Sequence, residues 1–465
     1  MTKPTYVAIL AAGLGTRMKS QRAKVLHRAG GLPLIEHVVR AGLRIAPPER
    51  IVVVVGYQAH IVREVIAPYG VKAVLQAQQH GTGDAVRCCR DQVGHEGHLA
   101  VLYGDCPLLS GETLERLVAA QAGSEAAATV ITTTLADPSG YGRIVRDPTA
   151  DDTVLAIVEQ KAATPQQREI REINSGIYCF RAELLWAHID ALRPHPASGE
   201  YYLTDIVEIF RSAGLRVRAM HLDDPTEVLG INTRVELAGI DRIFRRRKAE
   251  ELMLSGVTIE YPETVTIDGG AEIGMDTVVE PFARILGRSR IGSNCRIGAH
   301  AILEAAALGN DVEIAPFTLI NHCVIERGAR VGPFARLRPD SHIGEGAEVG
   351  NFVELKKTRL GPGSKARHLA YLGDSTIGSG VNVGAGTITC NYDGVKKHET
   401  HIEDGVFVGS NATLVAPLRL GQGSYIGAGS VITEDVPAGA LALGRSRQVT
   451  KEDWARRRKE NQRRE

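Results

Sequence analysis

The 465-residue sequence predicts two folds in series, an α/β domain with a mostly parallel sheet followed by a solenoid of short parallel β-strands. Three observations carry this prediction. A six-residue beat runs through the second half, and apolar runs alternate with amphipathic stretches in the first. The length also exceeds what one hydrophobic core usually organises.

The beat is the strongest of the three. Ile267, Ile273, Val279, Ile285, Ile291, Ile297 and Leu303 stand at strict intervals of six, and the interval returns over residues 331–355 and 402–432. Glycine often follows the aliphatic, as in Ile291-Gly292, Ile343-Gly344 and Val408-Gly409. Four residues after each aliphatic comes a small side chain: Ala271, Thr277, Ala283, Ser289, Cys295 and Ala301. Neither a helix nor an alternating strand repeats at six. A coil of short parallel strands does, with one aliphatic per hexad stacking inside and the small residue fitting a tight corner.

In the first half, residues 7–10, 51–55, 71–75, 99–103 and 128–133 read as strands, and 34–45, 59–66 and 112–122 as helices between them. That alternation implies a Rossmann-like, mostly parallel sheet whose ligand sits beyond the C-terminal strand ends. Residues 234–254 are polar and helix-prone, with Leu237, Ile240 and Phe244 at helical spacing. The expected organisation is a first domain over 1–232, a joining helix over 233–254, and the solenoid with its tail over 255–465.

Composition excludes several classes. A net charge of +1 argues against a polyanion-binding surface, and so against nucleic acid as partner. The Arg245-Arg246-Arg247-Lys248 run reads as a solvated helix face. Seven cysteines without a CxxC suggest neither a disulfide framework nor a zinc cage. No secretory-type segment and no membrane-spanning run is evident, so a cytoplasmic protein is expected.

The chemistry begins after the first strand. Leu10-Ala11-Ala12-Gly13-Leu14-Gly15-Thr16-Arg17-Met18, with Lys24 beyond it, is a glycine-rich strand-to-helix turn followed by cations. Small residues let backbone approach a phosphate, and a triphosphate needs fixed positive charge. Met18 stands where a dinucleotide fingerprint needs glycine, and no Walker GK[ST] is present. Asp105, at the end of a strand in Tyr103-Gly104-Asp105, suits a Mg²⁺ ligand. Taken alone it could cap a turn, as Asn232 alone could cap the following helix.

These residues resemble the sugar-1-phosphate nucleotidyltransferases. Gln76 with Gly81-Thr82-Gly83, Tyr103-Gly104-Asp105, Gly140-Tyr141-Gly142-Arg143, Val158-Glu159, Glu172-Ile173-Asn174 and Gly230-Ile231-Asn232 match in order. Together with the solenoid, the whole chain resembles the bacterial bifunctional N-acetylglucosamine-1-phosphate uridylyltransferase/glucosamine-1-phosphate N-acetyltransferases. One departure is Arg22-Ala23, where that family more usually has Leu-Pro. The resemblance implies a left-handed parallel β-helix of hexapeptide repeats and a nucleotide site of Leu10, Ala11, Ala12, Gly13, Gln76, Gly81, Thr82, Tyr103, Gly104 and Asp105. Gly142, Glu159, Asn174 and Asn232 would meet the sugar phosphate, Arg17 and Lys24 the phosphates, and Asp105 with Asn232 a Mg²⁺ ion. UTP and acetyl-CoA are the implied co-substrates, and the product feeds peptidoglycan and related envelope polymers.

A second candidate site lies on the solenoid. The rhythm breaks between Val383 and Ile402, where 389–401 does not fit a coil, and solenoids extrude insertions over a binding face. His368 just upstream is the candidate general base, since acetyl transfer to an amine must remove a proton and imidazole titrates near neutrality. By resemblance, Arg338, Lys356, Tyr371, Asn382 and Asn391 bind glucosamine-1-phosphate, and Ala385, Asn391, Tyr392, Ser410, Ala428 and Arg445 line an acetyl-CoA groove. A homotrimer whose acetyl sites draw on neighbouring chains is implied as well. Cys390 reads as a bystander thiol, and the Arg-rich end as a solvated tail. Two rival readings remain. One is a nucleotidyltransferase on a purely structural β-helix, which has no need of the Arg338, Lys356, His368, Tyr371 and Asn391 set. The other is a non-catalytic regulatory subunit of the same folds, which has no need of Arg17, Lys24 and Asp105.

Overall fold

Among the residues described by this computed structural model, 3–196 and 198–463, nine strands form the sheet of the first half. Their order is Lys72–Leu75, Ile51–Val55, Thr5–Ala11, His98–Tyr103, Glu172–Arg181, Ala128–Thr134, Val217–Leu222, Ala150–Val158 and Arg143–Asp147. The first four run parallel, with Ile9 opposite both Val53 and Leu102, and Val53 opposite Ala73. Helix Leu34–Gly42 joins Thr5–Ala11 to Ile51–Val55, Ala59–Ile66 joins Ile51–Val55 to Lys72–Leu75, and Gly111–Ala122 leads from His98–Tyr103 to Ala128–Thr134. Val7, Ile9, Ile51 and Val53 enter one core, while Ala8, Val52 and Val54 enter another on the opposite face. Burial on both faces is why these strands read as unbroken apolar runs rather than as alternations.

The expected strands are all present, but the sheet is more mixed than the sequence suggested. Glu172–Arg181 inserts antiparallel between His98–Tyr103 and Ala128–Thr134. A register shift between Asn174 and Tyr178 interrupts its pairing, the kind of irregularity that re-aims a side chain.

The chain divides after Phe244 into two compact units, inside the helix Arg234–Leu254. Ile240 packs with Met18, Leu34, Leu108 and Ile231 of the first unit, whereas Ala249 and Leu252 belong to the core of the second. Among the described residues no helix is long and apolar enough to cross a membrane.

The second unit is a parallel coil. Ile267 pairs with Ile285, Ile273 with Ile291 and Val279 with Ile297, so three hexads complete one turn. The aliphatics form one continuous core, and the small corner residues Ala271, Thr277, Ala283, Ser289, Cys295 and Ala301 are all buried. One edge carries a stack of rings, Phe282, His300, Phe317, Phe334 and Phe352, with centroids 4.9–5.5 Å apart.

A different edge absorbs every change in repeat length from Leu303 to Ile402. Steps of five residues, from Leu303 to Leu308, Ile320 to Ile325, Leu355 to Leu360 and Leu372 to Ile377, turn there. Each uses one left-handed residue: Ala305, His322, Lys357 and Asp374, all near φ +48°. The insertion leaves at this same edge. Ile388–Cys390 and Thr400–Ile402 are strands of the coil, so the extruded part is shorter than the sequence suggested, residues 391–399.

Candidate functional site

In the first unit the polar residues gather at the C-terminal ends of the four parallel strands. Thr5–Ala11 leads into Ala12 and Gly13, Lys72–Leu75 into Gln76, and His98–Tyr103 into Gly104 and Asp105. Gly13 faces open space, since a Cβ there would meet nothing within 4 Å. The loop before Lys24 is held by Tyr57 Oη and Gln58 Nε2, both donating to the Gln21 carbonyl at 2.9 Å. Ala23 N–H donates to Gln58 Oε1 at 2.8 Å, a bond that a proline at this position could not make.

Four site residues meet directly. Lys24 Nζ forms an ion pair with Asp105 Oδ2 and lies 3.3 Å from Asn232 Oδ1, which also accepts from Arg17 Nη2 at 2.9 Å. Backbone joins the two oxygen-bearing residues, because Ile231 N–H donates to the Asp105 carbonyl at 3.0 Å. Asn232 does not cap the helix that follows. Thr233 does, accepting from Glu236 N–H at 3.2 Å, while Glu236 Oε2 takes the N–H groups of Asn232 and Thr233 at 2.6 and 2.7 Å. This capping box frees the Asn232 amide to face the site. The carboxylate and amide oxygens thus converge on one cation. Hard oxygens converging in this way suit a divalent ion that keeps most of its shell for phosphates and water. Among the described residues no group of three or more His, Cys, Asp or Glu side chains is gathered for a metal.

Gln76 is buried, and its Nε2 donates to the Gly81 carbonyl at 3.1 Å and to Asp84 Oδ2 at 2.7 Å. Thr82 Oγ1 accepts from Leu203 N–H at 3.0 Å. Gly142, Glu159 and Asn174 form a neighbouring group: Asn174 N–H donates to the Gly142 carbonyl at 2.9 Å, and a Cβ on Gly142 would lie 3.5 Å from Glu159 Oε1. Burial, then the nearby Asp205 carboxylate, holds the Glu159 carboxyl above its usual range. Tyr103 joins the groups. A Cβ on Gly176, at φ +80°, would lie 2.5 Å from its ring, and burial pushes its phenol well up.

Sequence reasoning passed over the segment 200–205. Tyr201 N–H donates to the His80 carbonyl at 2.7 Å, and the Tyr201 carbonyl accepts from Gly83 N–H at 2.8 Å, so this segment forms a wall for the Gly81 loop. The signal available was the Tyr201-Tyr202 pair followed by Thr204-Asp205 just before a helix.

On the coil, strand register sorts the second set. Glu348, Lys365, Asn382, Phe407 and Tyr425 are successive partners on one face. Three residues beyond them, at the ring-bearing edge, stand Asn351, His368, Ala385, Ser410 and Ala428, one above the other. His368 is exposed, and its Nδ1 lies 2.8 Å from Asn351 Oδ1. Arg445 follows the last of these turns and is exposed.

The next face carries Glu354, Tyr371 and Ile388, and it ends at the edge where repeat length varies. There Arg338 Nη1 pairs with Glu354 Oε1 at 3.0 Å, and Lys356 Nζ lies 3.7 Å from Asp374 Oδ2. Asp374, 5% exposed, also accepts from Asn391 Nδ2. Asn391 is therefore the buried root of the extruded segment, whereas Tyr392 is exposed. Within one chain, Asn382 stands on a different face from Tyr371 and the Arg338–Lys356 edge. Asp374 and Lys397 escaped notice in the sequence. Lys356 beside it pulls the Lys397 ammonium below its usual range.

Comparison with known proteins covers both halves. A MobA-like NTP transferase domain matches residues 7–172, and the bacterial transferase hexapeptide (six repeats) matches 270–305, 322–357 and 399–434. A bifunctional protein GlmU from Solibacter usitatus is 55% identical over 460 residues, covering 99% of this chain and 98% of its own. That of Koribacter versatilis is 50% identical over 457 residues, covering 98% and 97%. That of an Anaeromyxobacter species is 51% identical over 461 residues, covering 98% and 93%.

Proposed function

This chain belongs to the family of the bifunctional protein GlmU, and on that footing we propose that it works through two separate sites, uridylyl transfer in the α/β unit and acetyl transfer on the coil. The convergence of Arg17, Lys24, Asp105 and Asn232 beyond the parallel strand ends carries the first assignment. An oxygen of N-acetylglucosamine-1-phosphate attacks the α-phosphorus of UTP, the bond to the β-phosphate oxygen breaks, and pyrophosphate leaves. Such a reaction needs alignment and charge neutralisation more than covalent help. Lys24 and Arg17 neutralise phosphate oxygens. Leu10 to Gly13, Gln76, Gly81, Thr82, Tyr103 and Gly104 seat the nucleotide, and Gly142, Glu159 and Asn174 orient the sugar. Asp105 and Asn232 would hold the divalent cation, Mg²⁺, which supplies further positive charge to the triphosphate when bound.

At the second site His368 takes the proton as the amine of glucosamine-1-phosphate attacks the thioester carbonyl of acetyl-CoA. The carbon–sulfur bond then breaks, and the coenzyme thiolate leaves with that proton. Arg338 and Lys356 meet the acceptor phosphate in charge-assisted bonds, with Tyr371 and Asn391 beside them. The edge above His368, with Ala385, Ser410 and Ala428, seats the coenzyme, together with Tyr392 and Arg445. Asn382 lies across an edge from the other acceptor residues, which favours a site completed by a neighbouring chain and hence a homotrimer. UTP and acetyl-CoA are intracellular metabolites, which puts the working enzyme in the cytoplasm.

The decisive assay supplies glucosamine-1-phosphate, acetyl-CoA, UTP and Mg²⁺, omits each in turn, and follows free thiol and pyrophosphate separately. Thiol release without UTP, and pyrophosphate release that depends on prior acetylation, are expected. Pyrophosphate without thiol under every condition would leave the coil a scaffold.

A further inference from the structure

We infer that Asn351 is a positioning residue for acetyl transfer, fixing the tautomer and direction of the His368 imidazole. The inference rests on His368 acting as the base. One turn of the coil separates the two residues in sequence, and strand register places them in direct opposition, Asn351 against His368. Asn351 Oδ1 lies 2.8 Å from His368 Nδ1. A carbonyl-type oxygen at that distance accepts an N–H, so the proton of neutral imidazole sits on Nδ1 and the lone pair on Nε2. That leaves Nε2 free to receive the amine proton.

An amide in this place orients the ring without adding charge, where a carboxylate would also stabilise the imidazolium and make the base harder to discharge. Discharge matters, because the same proton must next go to the departing thiolate. Several charges near the imidazole are paired, and Lys365 and Arg336 stand on the same two faces. On the face before it, Arg367 is bound to Glu348 at 2.6 Å, and Arg330 lies 3.5 Å from Glu313. On the face after it, Glu354 is engaged by Arg338, with Tyr371 alongside. The turn above offers Ala385 and Gly386, which carry no charge. Asn351 is thus the group through which the ring's orientation is set.

The test measures kcat and KM of acetyl transfer against pH for the full-length enzyme and for Asn351→Leu, Asn351→Asp and His368→Ala, with uridylyl transfer in the same samples reporting intact protein. Asn351→Leu should lower kcat about tenfold or more, part of the ~10²–10⁴ that a placed base supplies, with both KM values little changed. Asn351→Asp should recover much of that loss, and its acidic limb should move up by about one pH unit. If His368→Ala keeps its acetyl transfer, the base assignment falls and this inference with it. If His368→Ala is inactive while Asn351→Leu keeps kcat and Asn351→Asp leaves the limb in place, the inference alone is overturned. Should Asn351→Leu fail to fold, the position of the Asn351→Asp limb decides.

Discussion

The backbone of Gly15 runs against the side chain of Lys24: a Cβ at position 15 would lie 2.7 Å from Lys24 Cβ, and Gly15 holds φ +64°. The glycine is therefore what lets the lysine stem pass toward Asp105. Gly15→Ala meets both a left-handed backbone and a clash, a combined penalty of about 1–2 kcal/mol or more. Relief by moving Lys24 away should lower uridylyl kcat/KM at least about tenfold, since ~1.4 kcal/mol is one decade. Acetyl transfer should be unchanged, as parallel pyrophosphate and thiol assays would record.

Asp105 and Asn232 are the proposed ligands of a divalent ion, so removing divalent metal should separate the two activities. Chelation is expected to abolish pyrophosphate release and to leave thiol release intact. Asp105→Asn should act in the same way and resist rescue by excess Mg²⁺. Full uridylyl activity in that variant would remove the carboxylate from the site.

Glu159 gives a stability prediction with a definite sign. Burial raises its pKa in the native state, so between its ordinary value and the raised one the folded protein binds more protons than the unfolded chain. This contribution therefore favours folding at acidic pH and is lost as pH climbs through that window. Glu159→Gln should flatten the dependence and raise Tm near neutrality while slowing turnover of the sugar phosphate. Calorimetry across pH checks the first part, and pyrophosphate assays the second.

Thr233 and Glu236 hold Asn232 through helix capping rather than through the site itself. Thr233→Ala should cost about 1 kcal/mol of stability. It should also raise KM for the phosphorylated substrates, because the Asn232 amide loses its fixed backbone. Denaturant titration and uridylyl kinetics would report the pair of effects.

Asn382 and Lys356 occupy different faces of the coil. Co-assembled Asn382→Ala and Lys356→Ala chains, each nearly inactive in acetyl transfer, should recover activity wherever intact surfaces meet. Mixtures of separately assembled proteins should not recover it.

The hexads were legible because one aliphatic per strand faces the core at an unchanging step, and this holds wherever the corner has its full length. The beat faded between Leu303 and Val331 because two corners there turn in five residues through Ala305 and His322. Thr5–Ala11, Ile51–Val55 and His98–Tyr103 were legible because both their faces are largely buried. Arg143–Asp147 and Ala150–Val158 were not, being polar and partly exposed. The site followed the same division. Residues adjacent in sequence, such as Arg17 and Lys24 or Tyr103 and Asp105, announced themselves. Asp374, Asn351 and Lys397 act across turns of the coil, and the segment 200–205 reaches the Gly81 loop from far along the chain. No local pattern encodes such distances.

The column from His368 through Ala385 and Ser410 to Ala428 amounts to a ruler. Paired strands are ~4.8 Å apart, so its three intervals measure about 14 Å. A flexible cofactor arm laid along them is gauged by the number of turns, not by any one contact. Deleting a whole turn would leave the remaining rungs stacked in the same manner, yet it would bring the reactive group up one rung out of register with its base.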